Sequence, residues 1–221
     1  MSTYVLMKIL EHIPSQYERG IRRLSRGRLE SAYERLVSRV SQGQRVLDLG
    51  CGTGALSLRA AARTARVKAI DINPGMLEMA RQRAGELGLQ SRIEFAEMGT
   101  AELDREEGGS FDVVMNGLSL SELSPQELHL LIPQVFRLLR PGGLWLIADE
   151  TLPATFWKRL VFKLLRFPFK VITWLMTTST TRPLKDFPRQ LQQHGFQIVD
   201  IQINRLQSFC EIVARKPEEP T

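Results

Sequence analysis

A glycine-rich segment and a later acidic residue are spaced for nucleoside binding. The segment VLDLGCGTG runs from Val46 to Gly54, and its glycines alternate with other residues after a short apolar run. Glycine lets the backbone adopt positive φ and approach a ligand closely. Asp71 closes the next apolar run, twenty-one residues past Gly50. This spacing is typical of a carboxylate that accepts hydrogen bonds from both hydroxyls of a ribose. Such a carboxylate lies at the carboxyl ends of parallel strands.

The elements that must position these residues alternate along the chain. Strands are predicted at residues 45–50, 67–72, 92–98, 111–115 and 144–149, with helical segments between them. This order predicts a parallel sheet covered by helices on both faces. Asn73-Pro74 and the capping box Ser124–Glu127 each begin a helix, and Arg140–Gly143 ends the second. The last two runs, 197–203 and 208–214, are separated only by a short turn, which predicts an antiparallel hairpin.

Length and composition favour one globular domain. The chain has 221 residues, of which 43% are hydrophobic and 24% charged, as in an ordinary globular protein. Two distant cysteines give no disulfide framework or zinc site, so we expect a reducing, cytoplasmic setting and no metal. No uncharged stretch reaches the ~18 residues that a spanning helix needs. The single domain 1–221 would comprise an N-terminal helical segment (1–42), a cofactor-binding core (43–150), a basic amphipathic helical insertion (151–195) and the hairpin (196–216).

The glycine loop alone does not separate two cofactor classes. Gly50, Gly52 and Ala55 also satisfy the G-x-G-x-x-A pattern of an NAD site. Asp48, however, places an anion two residues before the first glycine, where a pyrophosphate would be repelled and an ammonium group could sit. The terminal hairpin also argues against an NAD-dependent oxidoreductase.

Together these segments resemble a known family. Residues 46–54 resemble motif I of the class I S-adenosylmethionine-dependent methyltransferases, and Leu139–Gly143 looks like that family's motif ahead of strand five. The resemblance covers residues 40–150 and the hairpin. It implies a doubly wound seven-stranded α/β sheet, mostly parallel, with order 3-2-1-4-5-7-6 and strand 7 antiparallel. It also implies S-adenosylmethionine as cofactor.

The resemblance also assigns individual residues to the cofactor site. Asp71 would hold the ribose, Met76 would lie under the adenine, and Thr100 stands where relatives usually carry aspartate beside the adenine edge. Backbone carbonyls following strand four would meet the methionine end. The cofactor-binding residues so implied are Asp48, Gly50, Cys51, Gly52, Gly54, Asp71, Ile72, Met76, Gly99, Thr100, Ala101, Asn116, Gly117 and Leu118.

The chemistry expected of such a site is an in-line methyl displacement. The protein mainly aligns the acceptor and excludes water, and a general base is needed only if the acceptor must lose a proton. His12, His129 and His194 are better explained as structural residues than as bases. The candidate that remains is Glu122, in the loop after strand four.

The insertion after strand five carries a cationic and an apolar face. Arg159, Lys163, Arg166 and Lys170 recur at helical spacing, and residues 151–182 hold six basic residues and no acid. Residues 156–170 could form a lid over the acceptor, an interfacial helix on anionic lipid, or a site for a partner protein, besides simply packing on the sheet.

Two branches of the family compete for the acceptor. The core resembles the ubiquinone/menaquinone-biosynthesis methyltransferases, which implies a small, largely apolar acceptor. Segments 18–23, 116–123 and 177–182 look like the corrinoid-protein-associated methyltransferases, which would imply a corrinoid-protein partner. A non-catalytic S-adenosylmethionine-binding module that engages a partner or membrane is the alternative of another class. Nucleic acid is not favoured, because no RNA-binding module is recognisable and aromatic residues are only 7%.

Overall fold

The computed structural model describes residues 27–158, residue 160 and residues 182–218. Seven strands form one sheet, with α-helices and short 3₁₀ turns between them. The α-helices are α1 (Arg28–Val37), α2 (Ala55–Ala62), α3 (Pro74–Glu86), α4 (Pro125–Leu138) and α5 (Phe187–Gln193). The strands are β1 (Arg45–Leu49), β2 (Arg66–Asp71), β3 (Ile93–Glu97), β4 (Phe111–Gly117), β5 (Leu139–Glu150), β6 (Gln197–Ile203) and β7 (Phe209–Arg215).

The sheet order is β3-β2-β1-β4-β5-β7-β6, as the family resemblance implied. Strands β1 to β5 pair in parallel, whereas β7 pairs antiparallel with both β5 and β6. The short turn after β6 leaves no room for a helical crossover, so β7 must reverse direction. The predicted hairpin is confirmed.

Apolar side chains alternate between two cores, one on each face of the sheet. On β1, Val46 joins the core that contains α1, α2 and α3, while Leu47 and Leu49 join the core that contains α4 and α5. This alternation follows from the two-residue period of a strand. Helices therefore cover both faces, and the carboxyl ends of the parallel strands meet at one edge.

Both helix starts that the sequence indicated are confirmed. The Asn73 side chain accepts hydrogen bonds from the backbone N–H groups of Gly75 and Met76, and Pro74 is the first residue of α3. At α4, Ser124 and Glu127 form the reciprocal capping box. Such caps satisfy backbone donors that a helix leaves unpaired.

The structure corrects the predicted start of β5. Residues 140–143 were predicted to end α4 and precede the strand, but α4 ends at Leu138 and β5 begins at Leu139. Its pairing with β4 jumps from Phe111↔Leu139 to Val113↔Leu144. Glycine is needed within this irregularity, because a Cβ on Gly143 would lie 2.9 Å from the Arg140 carbonyl oxygen. The Pro-Gly-Gly segment is thus a bulged strand entry.

Two predicted helical segments lie partly outside the described residues. Of the segment 1–42 the structure describes residues 27–42; Ala32 and Leu36 on α1 and Val40 after it are buried, as their spacing predicted. Of the insertion 151–195 it describes residues 151–158, 160 and 182–195, which include the helical residues Phe156–Lys158 and Leu160 as well as α5. In the part of the chain that is described, no helix is long and apolar enough to cross a membrane.

Candidate functional site

A cavity of about 550 Å³ opens at the carboxyl ends of β1, β2 and β4. Four connecting segments form most of its wall, and α1 closes one side with Leu29, Glu30 and Tyr33. These segments are residues 49–53 after β1, 70–73 after β2, 98–101 after β3 and 116–120 after β4. Open α/β sheets bind ligands at this edge.

The glycine loop needs glycine for both conformation and space. Gly50, Gly52 and Gly54 have φ of 67°, 53° and 80°, in the left-handed region that other residues rarely adopt. A Cβ on Gly50 would lie 2.6 Å from the Ser119 Cβ, whereas a Cβ on Gly52 would meet nothing within 4 Å. The loop therefore packs tightly against the segment after β4 at Gly50 and presents open backbone to the cavity at Gly52.

Asp71 ties the end of β2 to this loop. Its Oδ2 accepts a hydrogen bond from the Gly52 backbone N–H at 2.8 Å, and its Oδ1 accepts one from the Asn73 N–H at 2.9 Å. Each carboxylate oxygen has two acceptor sites, so both oxygens retain capacity for a ligand hydroxyl. The residue is half-buried and lines the cavity, which is the position that its spacing from Gly50 predicted.

The cavity wall contains the predicted cofactor-binding residues except Asp48 and Gly54. Gly54 instead begins α2 at a close approach to α3, where a Cβ would lie 3.2 Å from the Ala80 Cβ. The residues that do line the cavity are Gly50, Cys51, Gly52, Asp71, Ile72, Met76, Gly99, Thr100, Ala101, Asn116, Gly117 and Leu118.

Asp48 lies behind the glycine loop. Its side chain points to the α2 face of the sheet, where Oδ2 accepts a hydrogen bond from the Ser57 hydroxyl, and only 1% of the residue is exposed. Oδ1 has no hydrogen-bond partner among the residues that the structure describes. Burial raises the pKa of Asp48 to about 7, because desolvation disfavours a carboxylate. Asp48 thus lies behind the loop and not in the cavity wall, and its predicted role beside the cofactor stays a prediction.

The end of β4 combines a fixed side chain with an unusual backbone. The Asn116 side chain donates to the Leu49 carbonyl and the Ser119 hydroxyl and accepts from the Trp145 indole N–H, at 2.7–3.0 Å. Leu118 has φ of 62° although it is not glycine, and its N–H donates to the Ala148 carbonyl at 2.8 Å. A leucine in this region is uncommon and costs free energy. It turns the chain sharply at the cavity wall.

Asp149, at the end of β5, fixes the segment after β4 from behind. Its Oδ2 accepts from the backbone N–H groups of Leu120 and Ser121 at 2.8 and 3.1 Å. Asp149 is fully buried, and desolvation raises its pKa to about 7. Sequence reasoning missed this role because the contact spans 29 residues of chain.

Tyr33 is a cavity residue that sequence reasoning missed. It lies on α1 and is 6% exposed, and burial, followed by the charges of Asp149 and Asp48, raises the pKa of its hydroxyl far above the usual value. A Cβ on Gly117 would lie 2.7 Å from this hydroxyl. The available signal was a polar atom on the otherwise apolar stripe of the helix.

Of the residues considered as acids or bases, Glu122 lies at the cavity and His129 and His194 do not. Glu122 lines the cavity in the 3₁₀ turn Leu120–Glu122, as predicted for the loop after strand four. His129 and His194 contact one another with ring centroids 5.5 Å apart, away from the cavity wall, and His12 lies outside the described residues. Within residues 27–158 and 182–218 no cluster of metal-ligating side chains occurs.

Comparison with known proteins identifies the family. Residues 46–143 match the model of a methyltransferase domain. An uncharacterized methyltransferase of Synechocystis is 31% identical over 168 residues, covering 72% of this chain and 70% of that protein. A demethylmenaquinone methyltransferase of Leptospira interrogans is 30% identical over 193 residues, covering 80% and 76%. The solved 1,6-didemethyltoxoflavin-N1-methyltransferase of Burkholderia thailandensis has the same fold, with a TM-score of 0.65, 20% identity, and coverage of 97% of this chain and 88% of that one.

These matches span the glycine loop, Asp71 and the bulged entry to β5. They decide between the two cofactor classes that the loop left open, against NAD, and in favour of an enzyme over a non-catalytic module. The corrinoid-associated branch gains no support from them, and segments 18–23 and 177–181 lie outside the described residues. The chain belongs to the class I S-adenosylmethionine-dependent methyltransferases and uses S-adenosylmethionine as its cofactor.

Proposed function

We propose that this enzyme methylates a small, largely apolar acceptor, with S-adenosylmethionine bound between the glycine loop and Asp71. The observation that carries the proposal is the pairing of Gly52 with Asp71 on the wall of an open cavity. The open space beside Gly52 lets backbone approach a ligand, and the half-buried carboxylate keeps acceptor capacity for ribose hydroxyls.

The remaining contacts follow from the order of the strands. Ile72 and Met76 would flank the adenine, with residues 99–101 at its edge, and the carbonyls of residues 116–118 would face the methionine end. The bound cofactor supplies a methyl group already activated on a sulfonium. The chain's own work is then to hold donor and acceptor in line and to exclude water.

One part of the cavity wall is apolar, although Glu30, Arg59, Glu122 and Glu127 line the cavity too. Its leucines come from α1, the segment after β4 and α4: Leu29, Leu118, Leu120, Leu123 and Leu131. Such a lining favours a small acceptor with substantial apolar surface. The likeness to a demethylmenaquinone methyltransferase supports the same class. Where the acceptor must lose a proton, Glu122 is the cavity carboxylate proposed to accept it.

The cofactor site is tested by titration calorimetry with S-adenosylhomocysteine. We expect wild-type protein to bind it and NADH to give no heat. Asp71→Ala should weaken binding by about 1–3 kcal/mol through the lost ribose hydrogen bonds. Glu97→Ala is the matched control, because Glu97 ends the neighbouring strand beside Asp71 but lies outside the cavity wall. Equal affinity of the Asp71 variant and wild type would contradict the assigned site.

Contact with an anionic membrane is a second candidate property. Phe156 and Trp157 are each 71% exposed, next to Lys158. Exposed aromatic residues beside cations suit a lipid interface. The double variant Trp157→Glu/Lys158→Glu should co-sediment less with phosphatidylserine vesicles than wild type does. Equal co-sedimentation would remove this candidate and leave the lid and partner alternatives for residues 156–170.

A further inference from the structure

A second cavity, of about 850 Å³, lies at the edge of the sheet opposite the cofactor cavity. Its wall includes the first residues of four strands: Arg45 of β1, Arg66 of β2, Ile93 of β3 and Phe111 of β4. These residues mark the amino ends of the parallel strands, whereas the cofactor cavity opens at their carboxyl ends. Strands of five or six residues are roughly 15–20 Å long, so the two cavities are separate.

Two arginines lie side by side in this arginine cavity. Arg45 and Arg66 are register partners on the parallel strands β1 and β2. The next partners, Val46 and Val67, join the core that contains α1 and α2, so both arginines leave the other face of the sheet. Both are exposed, and neither has a carboxylate partner among the residues that the structure describes. Like charges on neighbouring strands repel one another, so the pair needs an explanation beyond the stability of the sheet.

A third arginine reaches the cavity from the turn before β3. Arg92 directly precedes Ile93, which is the register partner of Val67. Its Nη1 donates to the Ala61 carbonyl at 3.2 Å, which leaves most of the five guanidinium donors available. Within the described part of the chain, Arg92 also has no carboxylate partner.

The acids of the cavity wall are already engaged. Glu106 and Glu94 lie 2.7 and 3.4 Å from the Lys68 Nζ, so both carboxylates offset the charge of Lys68. Four cationic and two acidic side chains line the cavity. The excess of positive charge therefore lies on the three arginines.

The backbone that carries two of these arginines is held in place. The Arg66 N–H donates to the Gln44 carbonyl at 2.9 Å, and the Arg45 N–H donates to the Asp112 carboxylate at 2.6 Å. The Arg45 guanidinium also lies over the Phe111 ring, 5.5 Å from its centroid. Fixed starting positions lower the free-energy cost of ordering such side chains around a ligand.

We propose that Arg45, Arg66 and Arg92 bind the phosphate groups of a small ligand that carries at least two phosphates. Guanidinium groups match phosphate oxygens with paired hydrogen bonds, and three of them suit more than one phosphate. The cavity has the volume of a small-ligand site. Phe111, the aromatic residue of the wall, is 2% exposed and offers no surface for stacking bases, which favours a small ligand over nucleic acid.

Titration calorimetry with pyrophosphate tests this site in the full-length protein. We expect wild type to bind pyrophosphate, and to bind inorganic phosphate roughly tenfold more weakly, because one phosphate meets fewer guanidinium groups. Arg45→Gln/Arg66→Gln should lower the affinity for pyrophosphate at least about tenfold. The control Arg189→Gln/Arg205→Gln removes the same formal charge from exposed residues outside the cavity wall, and it should bind as wild type does.

Saturating S-adenosylhomocysteine should leave the affinity for pyrophosphate unchanged, because the two cavities lie at opposite edges of the sheet. Competition between the two ligands would place the anion in the cofactor cavity and overturn the proposal. Absence of pyrophosphate binding to wild type would overturn it too, as would equal binding by wild type and Arg45→Gln/Arg66→Gln. Equal affinity for phosphate and pyrophosphate would overturn the assignment of a ligand with two phosphates.

Fluorescence anisotropy with a single-stranded RNA oligonucleotide is the remaining arm. Binding tighter than that of pyrophosphate, and lost in Arg45→Gln/Arg66→Gln, would assign the arginines to nucleic acid and overturn the proposal. We expect no such binding. Thermal unfolding of the ligand-free variants, expected within a few degrees of wild type because the changed residues are exposed, shows that folded proteins are compared.

Discussion

At the end of β4, a single missing side-chain carbon lets α1 reach the sheet. Gly117 is not in the left-handed region, so its requirement for glycine is steric and comes from the Tyr33 hydroxyl and Leu56. The same contact brings a polar atom to the cavity. Packing and site geometry are therefore set by the same pair of residues.

We expect Gly117→Ala to destabilise the protein by about 1–3 kcal/mol, because the added methyl group must displace packed atoms. Combining it with Tyr33→Phe should recover part of that loss, since the 2.7 Å approach to the hydroxyl is removed. Urea unfolding measures both. Gly85→Ala on α3 is the control: a Cβ there meets nothing within 4 Å, and the change should be neutral or stabilising by up to about 1 kcal/mol. Strict additivity of the two site changes would contradict the contact.

Sequence reasoning located the cavity residues whose positions depend on local spacing. The glycine loop and Asp71 could be located because a strand, a tight turn and the next strand end are a short, repeated unit. Tyr33 and Asp149 could not, because their contacts join elements distant in sequence. Asp48 was assigned a place beside the cofactor; its side chain is buried on the α2 face behind the glycine loop, and the assignment stays a prediction.

At the scale of elements, α1 is held to the sheet by an ion pair as well as by its apolar stripe. Arg35 donates two hydrogen bonds to the Glu211 carboxylate on β7, at 3.0 and 2.6 Å. The Glu211 side chain is only 10% exposed, so few other contacts with water or solvent ions are open to its carboxylate. One turn along, Arg39 pairs with Asp200 at 3.2 Å in a more exposed position.

Arg35→Ala should therefore cost about 1–3 kcal/mol of unfolding free energy, because it leaves a nearly buried carboxylate without its partner. Arg39→Ala, the matched control just past the end of α1, should cost less than about 1 kcal/mol. Urea unfolding measures the unfolding free energy of both variants. An equal decrease in the two would show that the Arg35–Glu211 ion pair does not anchor α1.

The elements themselves were largely predictable. Capping residues fixed the starts of α3 and α4, and the short turn after β6 fixed the direction of β7. The predicted start of β5 was wrong because the sequence Pro-Gly-Gly is locally typical of a turn. In the fold, pairing with Phe111 of β4 draws that segment into the sheet as a bulge.

Across the whole molecule, buried acids lie on both sides of the strand ends that form the site. Asp48 and Asp149 are each 1% exposed or less, and burial raises each pKa from 3.8 to about 7. A carboxyl whose pKa is raised by folding binds its proton more tightly in the native state. The native protein thus holds more protons than the unfolded chain between about pH 4 and pH 7, and stability must fall as pH rises through that window.

The resulting dependence of the unfolding free energy on pH should be measurable. From pH 5 to pH 7 the free energy of unfolding should decrease, by up to roughly 1 kcal/mol per pH unit for each of the two acids. Asp48→Asn should remove roughly half of that decrease, because the amide cannot ionise and can still accept the Ser57 hydrogen bond. Urea unfolding at pH 5, 6, 7 and 8 measures it, with exposed Glu97→Gln as the control that keeps the wild-type slope. An unaltered slope in Asp48→Asn would mean that the carboxyl is not held protonated behind the glycine loop.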